Sequence, residues 1–178
     1  MKHLPIRRQR GFTLVELSVV AGIAAVLVGA AIPSLKQVRE QRHLEGAAAQ
    51  LETDFQFARS AAVARGQVVR VSFQADSSGS CYVVHTGDAN DCSCMGNAAA
   101  VCSADAEPLH MVRYSAADPV RLQSNSRSVG FEPVRGTVTP TATVQVVAAG
   151  GAAINQVINV MGRVRSCSPT GLAGYKRC

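Results

Sequence analysis

Three groups of residues have types and spacings that could do chemistry. The first is six cysteines, at positions 81, 92, 94, 102, 167 and 178 of a 178-residue chain. Thiols so placed either pair as disulfides or hold a metal. Cys92, Cys94, Cys102, His85 and His110 offer zinc ligands, but their spacing is that of neither a ribbon nor a finger, and oxidation competes. The run Asp88-Ala89-Asn90-Asp91 fails the EF-hand template, because Cys92 stands where the third ligand belongs. No metal or other cofactor is expected.

The second group is cationic. Arg135, Arg163, Arg165, Lys176 and Arg177 lie in residues 134–178, a stretch without a single acid, whereas residues 74–108 hold five acids and no Lys or Arg. Such polarity suggests an anionic partner at the C-terminal end. In an extended strand Arg163 and Arg165 point to one face while Val164 packs inward. Guanidinium forks suit phosphate oxygens, and joining Cys167 to Cys178 would bring Lys176 and Arg177 close to them. Without an aromatic row, such a site would hold DNA weakly, without reading bases and with marked salt sensitivity. The alternative is a solvated edge strand kept from aggregating by its charges.

The third group is one residue, Glu16. It alone interrupts the apolar run from Phe12 to Ile32, where a carboxylate costs roughly 2.5–3.5 kcal/mol at the centre of a membrane helix and less near its end. A residue kept at that cost has a role. Enzyme signatures are missing: there is no G-x-S-x-G, H-E-x-x-H, P-loop or G-x-G-x-x-G. His3 precedes the apolar run and His43 lies on a helix, leaving His85 and His110 as candidate bases that read better as satisfied or solvated histidines. The chain is read as a non-enzyme.

The elements that position these groups follow from composition and period. Aromatics are 4% and Trp is absent, which argues against an aromatic ligand pocket or a base-stacking platform. Of the net charge of +6, Lys2, Arg7, Arg8 and Arg10 supply most, ahead of the apolar run. That run, about 31 Å long as a helix, is long enough to span a bilayer core. The basic residues before it should stay cytoplasmic, placing everything after Pro33 across the membrane, where disulfides are the default. Cys167 and Cys178 bracket a tail with Pro169, Gly171 and Gly174 and look like natural partners; Cys81, Cys92, Cys94 and Cys102 would staple the loop from Thr86 to Glu107. A cleaved signal peptide ending near Gly29-Ala30-Ala31, releasing a soluble periplasmic β domain, is the alternative.

The string Arg10-Gly11-Phe12-Thr13-Leu14-Val15-Glu16-Leu17 resembles the class III signal of type IV prepilins and type II secretion pseudopilins. That resemblance implies that a prepilin peptidase cuts after Gly11, that the amine of Phe12 is methylated, and that the helix stays in the inner-membrane lipid. It also implies that the Glu16 carboxylate meets the Phe12 amine of a neighbouring subunit, as an unpaired charge in hydrocarbon would.

Beyond Pro33, which should kink or locally melt the helix, Val38, Leu44, Leu51, Phe55, Ala58 and Ala62 form an amphipathic stripe ending before Gly66. From there Val69, Val71 and Phe73 alternate with polar residues. Further strands are expected at Cys81–His85, His110–Tyr114, Val120–Gln123, Val129–Phe131, Thr137–Val147, Asn155–Met161 and Arg163–Cys167. The expected fold class is α+β: a long N-terminal helix packed on an antiparallel, sandwich-like β domain. Its parts are a cleaved leader (1–11), a transmembrane and polymerisation helix (12–32), an amphipathic helix (33–65) and a disulfide-containing β domain (66–178).

One helix followed only by strands, with the ending Val160-Met161-Gly162-Arg163-Val164-Arg165, resembles the GspH/FimT family of minor pilins and pseudopilins. The resemblance implies a single-pass inner-membrane subunit with a periplasmic domain. It would assemble with other pilins through its helix into an extracellular type IV pilus or a periplasmic type II secretion pseudopilus. DNA binding at the basic end would then serve DNA uptake in natural transformation; the alternative is a secretion pseudopilin that binds no DNA.

Overall fold

The computed structural model describes residues 11–178 apart from 97, 98 and 104, with the side chains of 28 and 30–35 outside the description. The leader expected at 1–11 therefore lies, but for Gly11, outside the described residues. Contacts divide the chain into two compact units, 1–38 and 39–178.

In the first unit, helix α1 (Leu14–Arg65) begins. Thr13 is its N-cap: the Thr13 carbonyl accepts the Leu17 N–H at 3.2 Å, and Oγ1 accepts the Glu16 N–H at 3.2 Å. Thr13-x-x-Glu16 is thus a capping-box sequence, with a carboxylate at the positive end of the helix dipole. Phe12, Leu14, Val15, Leu17, Val19, Val20, Ile23, Val26 and Leu27 are all more than half exposed. Among the described residues no helix is long and apolar enough to cross a membrane. Of the kink or local melting expected at Pro33, melting does not occur: the helical backbone continues through it, one lost N–H leaving the flanking helical hydrogen bonds to hold the turn.

The second unit contains the rest of α1. Its buried stripe is Leu44, Ala47, Ala48, Leu51, Phe55, Ala58 and Ala62; Val38, expected on it, is 55% exposed. The helix stops at Arg65 and Gly66 follows at φ +66°, where a side chain would be strained. One five-stranded antiparallel sheet runs β5-β2-β1-β7-β8. Its members are β1 (Val69–Asp76), β2 (Gly79–Thr86), β5 (Pro108–Ser115), β7 (Ser128–Phe131) and β8 (Val138–Thr139). A four-stranded sheet runs β11-β10-β9-β6, from β6 (Val120–Ser124), β9 (Ala142–Ala148), β10 (Ala153–Ile158) and β11 (Val164–Cys167). A small hairpin joins β3 (Cys92–Ser93) to β4 (Val101–Cys102).

Two expected strands are redrawn. Thr137–Val147 is two strands in different sheets, β8 pairing Val138 with Phe131 and β9 pairing Ala142 with Ile158. Pro140, lacking an N–H, stands at the break. The strand expected at Asn155–Met161 ends at Ile158, where Gly162 N–H bonds the Asn159 carbonyl at 2.9 Å in a tight turn, so β11 starts at Val164 and Arg163 belongs to the turn.

One core joins the α1 stripe to both sheets, through Val69, Val71, Phe131, Leu122, Val144, Val146, Ile154 and Ile158 among others. Phe55 lies at its centre, edge-on to Phe73 at 6.2 Å and 6.4 Å from Phe131. Polar groups in the core are satisfied across elements: Gln156 Nε2 of β10 donates to the Ala48 carbonyl of α1 at 3.0 Å. Tyr82 Oη of β2 donates to Asp54 Oδ2 at 2.5 Å. Burial, then the Asp54 hydrogen bond, drive the Tyr82 pKa far above its ordinary value, so Tyr82 stays a donor at any physiological pH. Because Phe55 is fully buried, Phe55→Ala should cost about 3–5 kcal/mol in denaturant unfolding of the detergent-solubilised chain, whereas Val63→Ala, on the exposed side, should stay within about 0.5 kcal/mol.

Candidate functional site

The four-stranded sheet ends in β11, paired only with β10 through Val157↔Arg165 and Ile158↔Val164. After Cys167 the chain enters a tail that folds back on itself. Ser168 is fully buried; its hydroxyl donates to the Ala153 carbonyl at 2.8 Å and accepts the Leu172 N–H at 3.0 Å. Leu172 and Tyr175 pack against the main core. Ser168 N–H then meets the Lys176 carbonyl at 2.8 Å, forming a parallel bridge between Ser168 and Arg177. Cys178 is bonded to Cys167.

This folding-back brings Arg163, Arg165, Lys176 and Arg177 around one surface cavity of about 410 Å³, which Val157 and the two cysteines of the disulfide also line. All four cations are exposed. Among the described residues none of them is in an ion pair. Ser166 of the cavity wall donates its hydroxyl to Glu52 Oε2 at 3.3 Å. A concave surface with four unneutralised cations is an anion site in electrostatic terms.

Arg135, the fifth expected cation, does not line this cavity. It sits on the turn between β7 and β8, where its N–H bonds Glu132 Oε2 at 2.6 Å and Gly136 N–H bonds the Glu132 carbonyl. That turn crosses the Asn159–Gly162 turn so closely that a Cβ on Gly162 would lie 3.0 Å from the Gly136 carbonyl oxygen, and one on Gly136 3.1 Å from the Arg59 guanidinium. With φ of +71° and +63°, both positions require glycine. Arg59, on α1 beneath both turns, is a cation beside the site that sequence reading did not select. Nothing in its helical context distinguishes it from any surface arginine.

The other four cysteines build a separate structure. Cys92 pairs with Cys102 across the β3–β4 hairpin, and Cys94 is bonded to Cys81 of β2. Gln74 Oε1 accepts from Ser93 Oγ and the Cys94 N–H, both at 3.0 Å, and Arg113 donates to the Cys94 carbonyl at 2.9 Å. The hairpin thus covers the outer side of β2, all eight of whose residues are buried. Beneath the same loop, His85 is fully buried. Its Nδ1 faces the Thr86 carbonyl at 2.8 Å and must donate, so Nε2 accepts from Ser72 Oγ at 2.7 Å. His110 Nε2 lies 3.5 Å from Asp54 Oδ2. The five groups of the zinc alternative are therefore engaged elsewhere, and among the described residues no cluster suited to a metal is found.

A family model described as the type II transport protein GspH matches residues 47–162, from the buried half of α1 to the glycine before Arg163. The chain belongs to the GspH family. A second model, the prokaryotic N-terminal methylation motif, matches residues 6–32. Together they make the chain a minor pilin or pseudopilin, a structural component of a type IV pilus or type II secretion apparatus. No curated protein sequence matches the chain significantly. Its fold is similar to that of the type IV minor pilin FimU of Pseudomonas aeruginosa PAO1 in two crystal forms. One match has 21% identity over 71% of this chain and 89% of that one, with a TM-score of 0.48. The other has 19% identity over 69% and 91%, again at 0.48. The GspH match stops at Gly162, so the four cations of the cavity belong to a segment beyond it.

Two outcomes are expected of this GspH-family subunit. Burial lowers the His85 pKa from 6.5, against a smaller upward pull from the Thr86 carbonyl. The unfolded chain thus binds the proton more readily than the folded one. The stability contribution is complete above about pH 6.5 and is lost as pH falls below it, by at most about 1.4 kcal/mol per unit. Unfolding midpoints measured from pH 5 to 8 should show this slope in wild type and a flatter one in His85→Gln. Cys167→Ser and Cys178→Ser should destabilise equally, by up to about 3 kcal/mol in the loop-entropy model, and the double variant should add less than about 0.5 kcal/mol.

Proposed function

We propose that this pilin-like subunit is held in the inner membrane by residues 12–32, assembles with other pilins through that helix, and grips nucleic-acid phosphates with its C-terminal cavity. The observation that carries the DNA reading is the convergence of Arg163, Arg165, Lys176 and Arg177 on one cavity without carboxylate partners among the described residues. Phosphodiester oxygens match the guanidinium forks, and the absence of aromatic lining leaves bases unread. Binding is therefore sequence-independent and salt-sensitive. Such a site suits a filament that captures DNA for uptake, with the domain carried beyond the membrane.

The N-terminal half of the proposal rests on the methylation motif and on the exposed apolar residues of α1's first half. In it, a prepilin peptidase cleaves after Gly11, Phe12 becomes the methylated N-terminus, and Glu16 pairs with the Phe12 amine of the neighbouring subunit. Glu16 has no ion-pair partner among the described residues, but its capping-box position offers a local reason for its presence. Glutamine keeps that geometry and removes the charge. Both Glu16→Ala and Glu16→Gln should insert normally yet enter filaments poorly; full incorporation of Glu16→Gln at native expression would leave only the cap.

For the cavity, full-length protein in neutral detergent should bind a labelled DNA duplex at low salt and lose it as salt rises. Arg163→Gln/Arg165→Gln should weaken binding of every duplex sequence alike, with a shallower salt dependence. Equal binding by wild type and variant would reduce the arginines to the charges of a solvated edge strand, and the protein to a filament subunit alone.

A further inference from the structure

We infer that the Cys167–Cys178 disulfide is the clasp that builds the cavity, so that the chain engages nucleic-acid phosphates with four cations only when this bond is closed and with two when it is open. This deepens the nucleic-acid reading above and rests on it.

The four cations reach the cavity by two independent routes. Arg163 and Arg165 come on the Asn159–Gly162 turn and on β11, which is fixed by its ladder with β10. Lys176 and Arg177 come on the last residues of the tail. Up to Tyr175 that tail is held by packing and by internal bonds: Leu172 and Tyr175 rest on the core, and Thr170 Oγ1 accepts the Ala153 N–H at 3.2 Å.

Beyond Tyr175 the character of the tail changes. Lys176, Arg177 and Cys178 are all exposed, so no burial retains them. Two backbone hydrogen bonds remain, Ser168 N–H to the Lys176 carbonyl at 2.8 Å and Cys178 N–H to the Ser168 carbonyl at 3.4 Å, together with the disulfide. Against them stand the conformational entropy of two long side chains and three backbone residues, and the mutual repulsion of four like charges around one cavity. Hydrogen bonds that water can replace are weak restraints on such a segment. A covalent bond at its last residue, anchored beside the bridge from Ser168 to Arg177, removes the open alternative. Arg165 in the ladder, and Arg163, whose N–H and carbonyl are both bonded to Asn159 in the turn, need no such help, which is why opening the clasp divides the site in half rather than abolishing it. Of the other two disulfides, Cys92–Cys102 lies within the β3–β4 hairpin and Cys81–Cys94 ties that hairpin to β2 of the five-stranded sheet, and neither touches the tail.

The salt dependence of duplex binding counts the contacts, at about −0.9 in log K per log salt for each phosphate neutralised. Full-length protein in neutral detergent would be titrated with a fluorescent DNA duplex between 50 and 200 mM salt, as wild type, Cys167→Ser/Cys178→Ser, Lys176→Gln/Arg177→Gln and Cys92→Ser/Cys102→Ser. Wild type should lose about 150-fold in affinity over that range, a slope of about −3.6, and so should the hairpin variant. The clasp variant and the charge variant should coincide, losing about 12-fold with a slope of about −1.8. A wild-type slope in the clasp variant would overturn the clasp while leaving the nucleic-acid reading intact. No binding by wild type at low salt would overturn both. Should the clasp variant fail to fold, the charge variant decides: an unchanged slope there means that Lys176 and Arg177 make no contact for the disulfide to hold in place.

Discussion

The fold depends on the burial of one narrow stripe of α1, from Leu44 to Ala62, against the inner faces of two sheets. The stripe and both sheets share one core, to which the tail adds Leu172 and Tyr175. Alanines at 47, 48, 58 and 62 let strands approach closely, while Leu44, Leu51 and Phe55 fill the volume between. At this close range Gln156 reaches the backbone carbonyl of Ala48 and Tyr82 reaches Asp54. Unpaired, either buried group would be costly, so one polar contact ties α1 to each sheet, Gln156 from the four-stranded sheet and Tyr82 from the five-stranded one.

The basic cavity is a by-product of where this packing ends. With one face of the four-stranded sheet committed to α1 and β11 left at its edge, the tail after Cys167 can satisfy Leu172 and Tyr175 only by turning back over the core. That return carries Lys176 and Arg177 to Arg165 of β11 and Arg163 of the turn before it. The crossing of Gly136 and Gly162 over Arg59 sets the level at which Arg163 leaves its turn. Apolar anchoring thus brings the tail back as far as Tyr175, and the Cys167–Cys178 bond holds its last residues against the repulsion of the charges they carry.

The sequence made the helix legible because its period and its glycine stop are local signals, and β1 because Val69, Val71 and Phe73 alternate cleanly. It did not reveal that β2 is buried on both faces, since that depends on a disulfide-bonded hairpin arriving from later in the chain. Thr137–Val147 read as one strand because β-branched residues on either side of Pro140 hide a change of sheet. Val38 continued the spacing of the stripe but lies before the domain that would cover it. In the candidate site, the cations were visible as residue types, and the convergence of four of them follows from the return of the tail. The exclusion of Arg135 and the presence of Arg59 follow from two turns crossing, a contact between distant segments that no local pattern encodes.

The bond between Gln156 and Ala48, 108 residues apart, and that between Ser166 and Glu52, 114 apart, have a temporal consequence. A chain made from its N-terminus presents the helix first and the strands that cover it last. Until β10 and β11 have been synthesised, Leu51 and Phe55 have only part of their enclosure. Such long-range closure is slow and leaves apolar surface uncovered in the interval. The domain is therefore most exposed to proteases and to mispairing before these two strands join it, and its maturation is governed by their arrival.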